Sequence, residues 1–255
     1  MPVGDHFREL RGRLLRSFLV FAAIFITSLF FYDPLLNLVM EPYNDARIAL
    51  GESVETRPYV SGATGPLMLY LKLCGVASLV AASPYWLYQI WAFIVPGLHS
   101  KEKKWSRLFA AVAGPLFIFG VLTAYYVLPK GLEVLISFTP DSMESLVEFG
   151  EYFSFLSRML LVFGISFEIP LFVVMLSLAG VVSGKQLGKI RPWLVLGTFI
   201  FAAVATPSTD PMSMLSLAIP MTFLFLGAEI VARFIDKVRA KKAIPEYADD
   251  EVSAI

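Results

Sequence analysis

The sequence predicts an all-α polytopic membrane protein with six transmembrane helices, the last two short, and both termini in the cytoplasm. Three observations carry that prediction. Hydrophobic residues fill 57% of the 255 positions, 22 of the residues being Phe, and the mean hydropathy is +0.69; with the long apolar runs, these values mark a polytopic membrane protein rather than a soluble domain. Apolar runs long enough to cross a hydrocarbon core recur along the chain. The 21 Lys and Arg residues are also divided unevenly between alternate connecting segments.

Residues 5–16 read as an amphipathic helix with Phe7, Leu10 and Leu14 on one face. Glu9 and Arg13 stand in the favourable i,i+4 order for an ion pair. The first span is placed at about 17–38. Arg8, Arg11, Arg13 and Arg16 ahead of it resemble the start of a secretory signal. Bulky Leu29-Phe30-Phe31-Tyr32 offers no small-residue cleavage site, so the expectation is a retained helix. Residues 41–66 are polar and broken by Pro42, Pro58, Gly62, Gly65 and Pro66. The second span covers about 67–92, with Lys72 expected to snorkel outward. A charged loop, His99 to Ser106, leads to the third span at 108–128. An acidic, polar stretch follows, then the fourth span at 152–182.

The fifth run, Trp193–Ala205, has thirteen residues before Thr206-Pro207, and the sixth, Met212–Ala228, has seventeen. These spans, placed at about 193–206 and 212–230, are short for a bilayer and should leave a thinned edge. A single transmembrane domain over 1–235 and a disordered cytoplasmic tail over 236–255 complete the layout. With the N-terminus inside, sixteen basic residues fall on inner segments and three on outer ones.

Glu168 is the only charge between Met159 and Val182. A charge at that depth is costly, so a hydrogen-bonding role rather than a permanent charge is expected. Two residues later, Pro170 cannot donate to the Ser166 carbonyl, and a bend is expected there.

Several chemistries find no support in the residues. The single Cys74 cannot form an internal disulfide, and His6 and His99 lie far apart. No zinc spacing, P-loop, nucleophile elbow or dinucleotide fingerprint is present, so no enzyme activity, metal or cofactor is expected. A net charge of zero suggests no nucleic-acid partner.

The chain resembles the TatC family, the largest subunit of the twin-arginine protein translocase. The resemblance rests on His6-Phe7-Arg8-Glu9-Leu10-Arg11, on Tyr88 to Leu98, on Ser166-Phe167-Glu168-Ile169-Pro170, and on Arg191-Pro192, Thr206-Pro207 and Ala218-Ile219-Pro220-Met221. It implies a receptor in the inner membrane that binds twin-arginine signal peptides of folded proteins at the cytoplasmic face. Glu9 and Glu102 match the family's contact points for the two arginines, within a site that also takes in Leu10, Arg11 and Phe93. Pro42 matches the outer-loop proline, Asp210 the aspartate of the outer loop between spans five and six, and Glu168 the membrane acid. The loop Thr206-Pro207-Ser208-Thr209-Asp210 is one residue longer than the common form, and Met214 stands where some members carry Gln. Single-span TatA- and TatB-type subunits are expected at the thinned edge near Met212 and Met214. The chain is expected to act as one of several copies in a complex within the bilayer. The alternative is a proton-coupled small-solute transporter with Glu168 as its carrier site.

Overall fold

The fold was described from a computed structural model covering residues 3–50, 57–98, 103–138, 146–206 and 211–243. The elements run α1 (Val3–Leu29), α2 (Tyr32–Leu50), β1 (Arg57–Tyr59), α3 (Gly65–Ala81), α4 (Ser83–Leu98), α5 (Lys103–Ser137), β2 (Leu146–Glu148), α6 (Phe149–Leu178), α7 (Gly184–Ala205) and α8 (Pro211–Ala243). Among the described residues, five helices are long and apolar enough to cross a membrane, and α3 with α4, bent by 53°, passes the same test as a pair. With that pair counted as one broken span, the chain has six. The side carrying the start of α1 is called the near end and the other the far end.

The N-terminal amphipathic segment and the first span are one continuous helix, α1. It is covered along one side by α3 and α4, and Phe18, Leu19 and Ile26 stay exposed. A span exposing such residues suits lipid, which solvates them. The span ends at Leu29 rather than near 38. Phe30 and Phe31 donate three residues back, to Thr27 and Ser28, closing a tight turn ahead of Pro34. Residues 32–50 then form a separate helix, α2, in place of the expected loop. Its apolar residues serve the core: Val39, Tyr43 and Ala46 are buried.

Pro42 accordingly lies inside α2 and is fully buried, not in a surface turn. Its missing N–H leaves the Leu38 carbonyl without the usual donor. The Tyr125 hydroxyl supplies one at 2.8 Å. The next carbonyl, Val39, accepts from Tyr152 at 2.7 Å. Two tyrosines from α5 and α6 thus fasten the proline-bearing segment. At the same end β1 and β2 pair in parallel.

The 53° bend at Ala82 has a comparable cause. Pro84 sits in the first turn of α4 and cannot extend the α3 hydrogen-bond ladder. The indole of Trp86 reaches back and donates to the Leu79 carbonyl at 3.0 Å. Helices α1 and α3 meet along a polar seam: the Ser28 hydroxyl contacts that of Ser78 at 3.1 Å, and both bond the Cys74 carbonyl. Such small polar contacts hold helices where lipid offers no competing hydrogen bonds. The α5–α6 crossing is closer still. A Cβ on Gly120 would lie 2.7 Å from the Phe163 carbonyl oxygen, and one on Gly164 would meet the Phe117 ring at 2.6 Å. Only glycine permits that approach.

The last two helices differ from their apolar runs. The α7 helix starts at Gly184, nine residues before Trp193, with a Ser183–Gln186 capping box. The α8 helix continues to Ala243, so residues 236–243, expected as disordered tail, are helical. Positions 244–255 lie outside the described residues. The polar extensions of α7 and α8 bind each other at the near end. Glu229, 5% exposed, accepts Arg191 at 2.7 and 2.9 Å and Arg233 at 2.7 Å. Asp236 accepts the Gly184 N–H at 2.7 Å, and Arg239 donates to the Ser177 and Leu178 carbonyls at the end of α6. The short apolar runs are thus the far-end parts of longer helices, α7 ending with its run and α8 beginning with its own, and each helix carries its polar extension at the near end.

Candidate functional site

Three helices build the site: α1 and α6 on either side of α4. Gln89, Trp91 and Phe93 are successive odd positions of α4. Residues 89 and 93 share one face by helical spacing, and 91 points the other way. The first face meets α1. Arg13 donates from Nε (3.0 Å) and Nη2 (2.7 Å) to Glu9 Oε1, and from Nη1 (3.1 Å) to Gln89 Oε1. The expected Glu9–Arg13 pair is present, but it is not a free surface pair, because buried Gln89 anchors it to α4. Phe93 follows one turn later, half-buried. Leu10 and Arg11 lie on another face of α1, beside Phe7, Leu14, Leu15 and Phe18. Arg11 is therefore not brought to Glu9. Glu102 lies outside the described residues.

The second face of α4 meets α6. Trp91 Nε1 donates to Glu168 Oε2 at 3.2 Å, and the indole stacks on Phe109 at 5.7 Å and lies 6.4 Å from Phe172. Glu168 Oε1 is buried without a hydrogen-bond partner among the described residues. Glu168 stands ten residues before the end of α6, about 15 Å along the helix. Helix α6 continues through Pro170, which is buried; the Ser166 hydroxyl bonds the Val162 carbonyl at 2.5 Å.

Sequence reasoning missed two of these residues. Trp91 and Gln89 entered only as members of the Tyr88 to Leu98 stretch, with no role of their own. Each has a signal in retrospect: a polar Gln and a Trp in an apolar helix both need partners when buried.

The remaining candidates fall elsewhere. Met212 and Met214 begin α8 at the far end, the first half exposed and the second packed on the core. Asp210 lies outside the described residues. Lys72 and Arg158 are both exposed, and Arg158 Nε donates to the Ser154 carbonyl one turn back. A groove of about 540 Å³ opens between α2, α3, α5 and α6, with Glu41 and Tyr125 in its wall. Glu168 is not part of it, so the groove offers no carrier chamber around that acid. No cluster of three or more metal-binding side chains occurs among the described residues.

The arrangement resembles known proteins closely. The family model described as Sec-independent protein translocase protein (TatC) matches residues 5–220. A relative in Corynebacterium kroppenstedtii bearing that description is 38% identical, over all of this chain and 67% of its own length. One in Frankia casuarinae is 37% identical, over 100% of this chain and 73% of its own. The crystal structure of a twin-arginine translocase receptor, TatC, superposes with a TM-score of 0.70 at 29% identity, covering 91% of this chain and 99% of that one. A second structure of that receptor, in DDM, gives 0.70 at 30% identity and 89% coverage of this chain. The chain belongs to the TatC family of Sec-independent protein translocase proteins.

Proposed function

We propose that this multi-pass membrane protein is the receptor and core scaffold of a twin-arginine translocation system. It binds the signal peptides of folded precursors at the near end and organises partner subunits for export. The observation that carries this reading is the superposition on a solved twin-arginine translocase receptor over nearly the full length of both chains. The near end is cytoplasmic, in keeping with its load of basic residues, and the membrane is the inner membrane.

Recognition is carboxylate chemistry. An arginine guanidinium is planar, always charged and paired bidentately by carboxylates. Glu9 supplies one acceptor and Glu102 the second, with Phe93 one turn beyond Gln89 on the same face of α4, while Leu10 and Arg11 offer the neighbouring face of α1 to the rest of the peptide. A surface otherwise crowded with cations leaves these two acids as the points a basic peptide can engage. Glu168, with Pro170, is the intramembrane polar centre, and its unpartnered oxygen is available to a docked helix. Single-span TatA- and TatB-type subunits dock along the edge near Met212 and Met214, and several copies of the chain assemble in one complex. Pro42 and Asp210 shape the far end. The reaction is binding and translocation, with no covalent step.

Co-purification tests the reading. The full chain, extracted in mild detergent, is expected to retain a folded precursor carrying Arg-Arg in its signal peptide and to lose it when the pair becomes Lys-Lys. Equal recovery of both precursors would overturn the proposal.

A further inference from the structure

We propose that Arg13 and Gln89 are positioning residues that set the specificity of the Glu9 carboxylate. Arg13, backed by Gln89, holds one oxygen of Glu9 so that the other is presented at a fixed orientation to a planar guanidinium. The proposal rests on the reading of Glu9 as a signal-peptide contact.

The geometry is asymmetric. Two Arg13 nitrogens converge on Glu9 Oε1, at 2.7 and 3.0 Å, while a third is tied to Gln89 Oε1 at 3.1 Å. Glu9 Oε2 accepts no hydrogen bond among the described residues. The Glu9 side chain is 38% exposed, Arg13 is 21% exposed, and Gln89 is 6% exposed. The order from solvent inward is therefore Glu9, Arg13, Gln89: an outward carboxylate, a cation behind it, and a buried amide fixing the cation.

That stacking changes what the carboxylate can select. A Glu on an exposed helix turn rotates freely and attracts any cation. Here two donors on one oxygen restrict its rotation, and the neighbouring positive charge offsets much of the simple Coulomb attraction. What remains is directional hydrogen bonding from Oε2. A guanidinium fork can satisfy a fixed acceptor in its plane, whereas an ammonium is a compact point charge indifferent to orientation. Orientation, more than charge, is then the source of preference for arginine over lysine.

The experiment measures two fluorescent peptides against the full chain in nanodiscs. They share one apolar segment and differ only in Arg-Arg or Lys-Lys ahead of it. The variants are Arg13→Lys, which keeps the charge but loses the fork, and Gln89→Leu, which releases Arg13. Each is expected to weaken Arg-Arg binding on the order of tenfold, the worth of one oriented charge-assisted hydrogen bond. Lys-Lys binding is expected to change less than about threefold, since a point charge needs no fixed orientation. The preference for arginine therefore collapses. An unchanged preference, or an equal loss for both peptides, would overturn the proposal. Tighter Arg-Arg binding would also overturn it, by making Arg13 a competitor for the site. The underlying reading fails separately: wild-type protein that does not prefer Arg-Arg, or Glu9→Gln that binds it unchanged, would remove Glu9 from the site and this proposal with it.

Discussion

Substituting Trp91 by Phe tests how the membrane acid is held. The change removes one N–H and keeps an aromatic ring against Phe109 and Phe172. The 3.2 Å bond it deletes is the single hydrogen bond on the Glu168 carboxyl among the described residues, because Oε1 has none. The carboxyl is then left with neither oxygen paired, at a cost of about 1–3 kcal/mol. Trp91 is 4% exposed, so water does not replace the lost donor. The smaller ring adds a packing loss, which a double-mutant cycle with Glu168→Leu cancels. The expected pairwise coupling is about 1–2 kcal/mol, read from unfolding of the four proteins in one detergent. A coupling below about 0.5 kcal/mol, the ordinary error of additivity, would refute the reasoning.

Other outcomes follow from the same structure. Glu168→Gln keeps an oxygen for Trp91 and is expected to retain substantial export of a folded reporter. Glu168→Ala is expected to keep precursor crosslinking but lose partner assembly or transport; Gln as defective as Ala would point to proton exchange. Gly164→Leu drives a side chain into the Phe117 ring and is expected to destabilise the protein by several kcal/mol, through forced separation of α5 and α6; melting in detergent unchanged from wild type would contradict the crossing. Crosslinkers at Met212 or Met214 are expected to capture the small subunits, and capture only from α5 would move the docking edge. A cysteine at Asp141 in a Cys74-free background is expected to label from outside intact cells, and labelling only after lysis would reverse the orientation.

The periodicity and charge of the sequence were enough to place most helices, but not to tell packing from membrane crossing. Leu35 and Leu36 prolonged the first apolar run because α2 packs them on the buried core, not because they face lipid. The break was marked in the sequence by Asp33-Pro34, but hydropathy outweighed it. Pro42 read as a turn because a helix interior normally rejects proline; the hydroxyl of Tyr125, 83 positions away, removes the objection. No local pattern reveals such a partner. The same holds at the site. Glu9–Arg13 was legible because both partners lie on one helix. Gln89 and Trp91 were not, because their partners arrive from α1 and α6 only once the bundle forms. The lengths of α7 and α8 were hidden for another reason: their ends are polar, and the pairing of Glu229 with Arg191 crosses 38 positions.

Crosslinking of a precursor to the receptor tests the central claim most directly. A photoreactive group beside the arginine pair of a twin-arginine precursor is irradiated with membranes holding wild-type chain or Glu9→Gln/Glu102→Gln at equal levels. The account expects strong crosslinking to the wild type. It expects a fall on the order of tenfold or more in the double variant, as two charge-assisted pairs are lost. Crosslinking of equal strength to both proteins would contradict it.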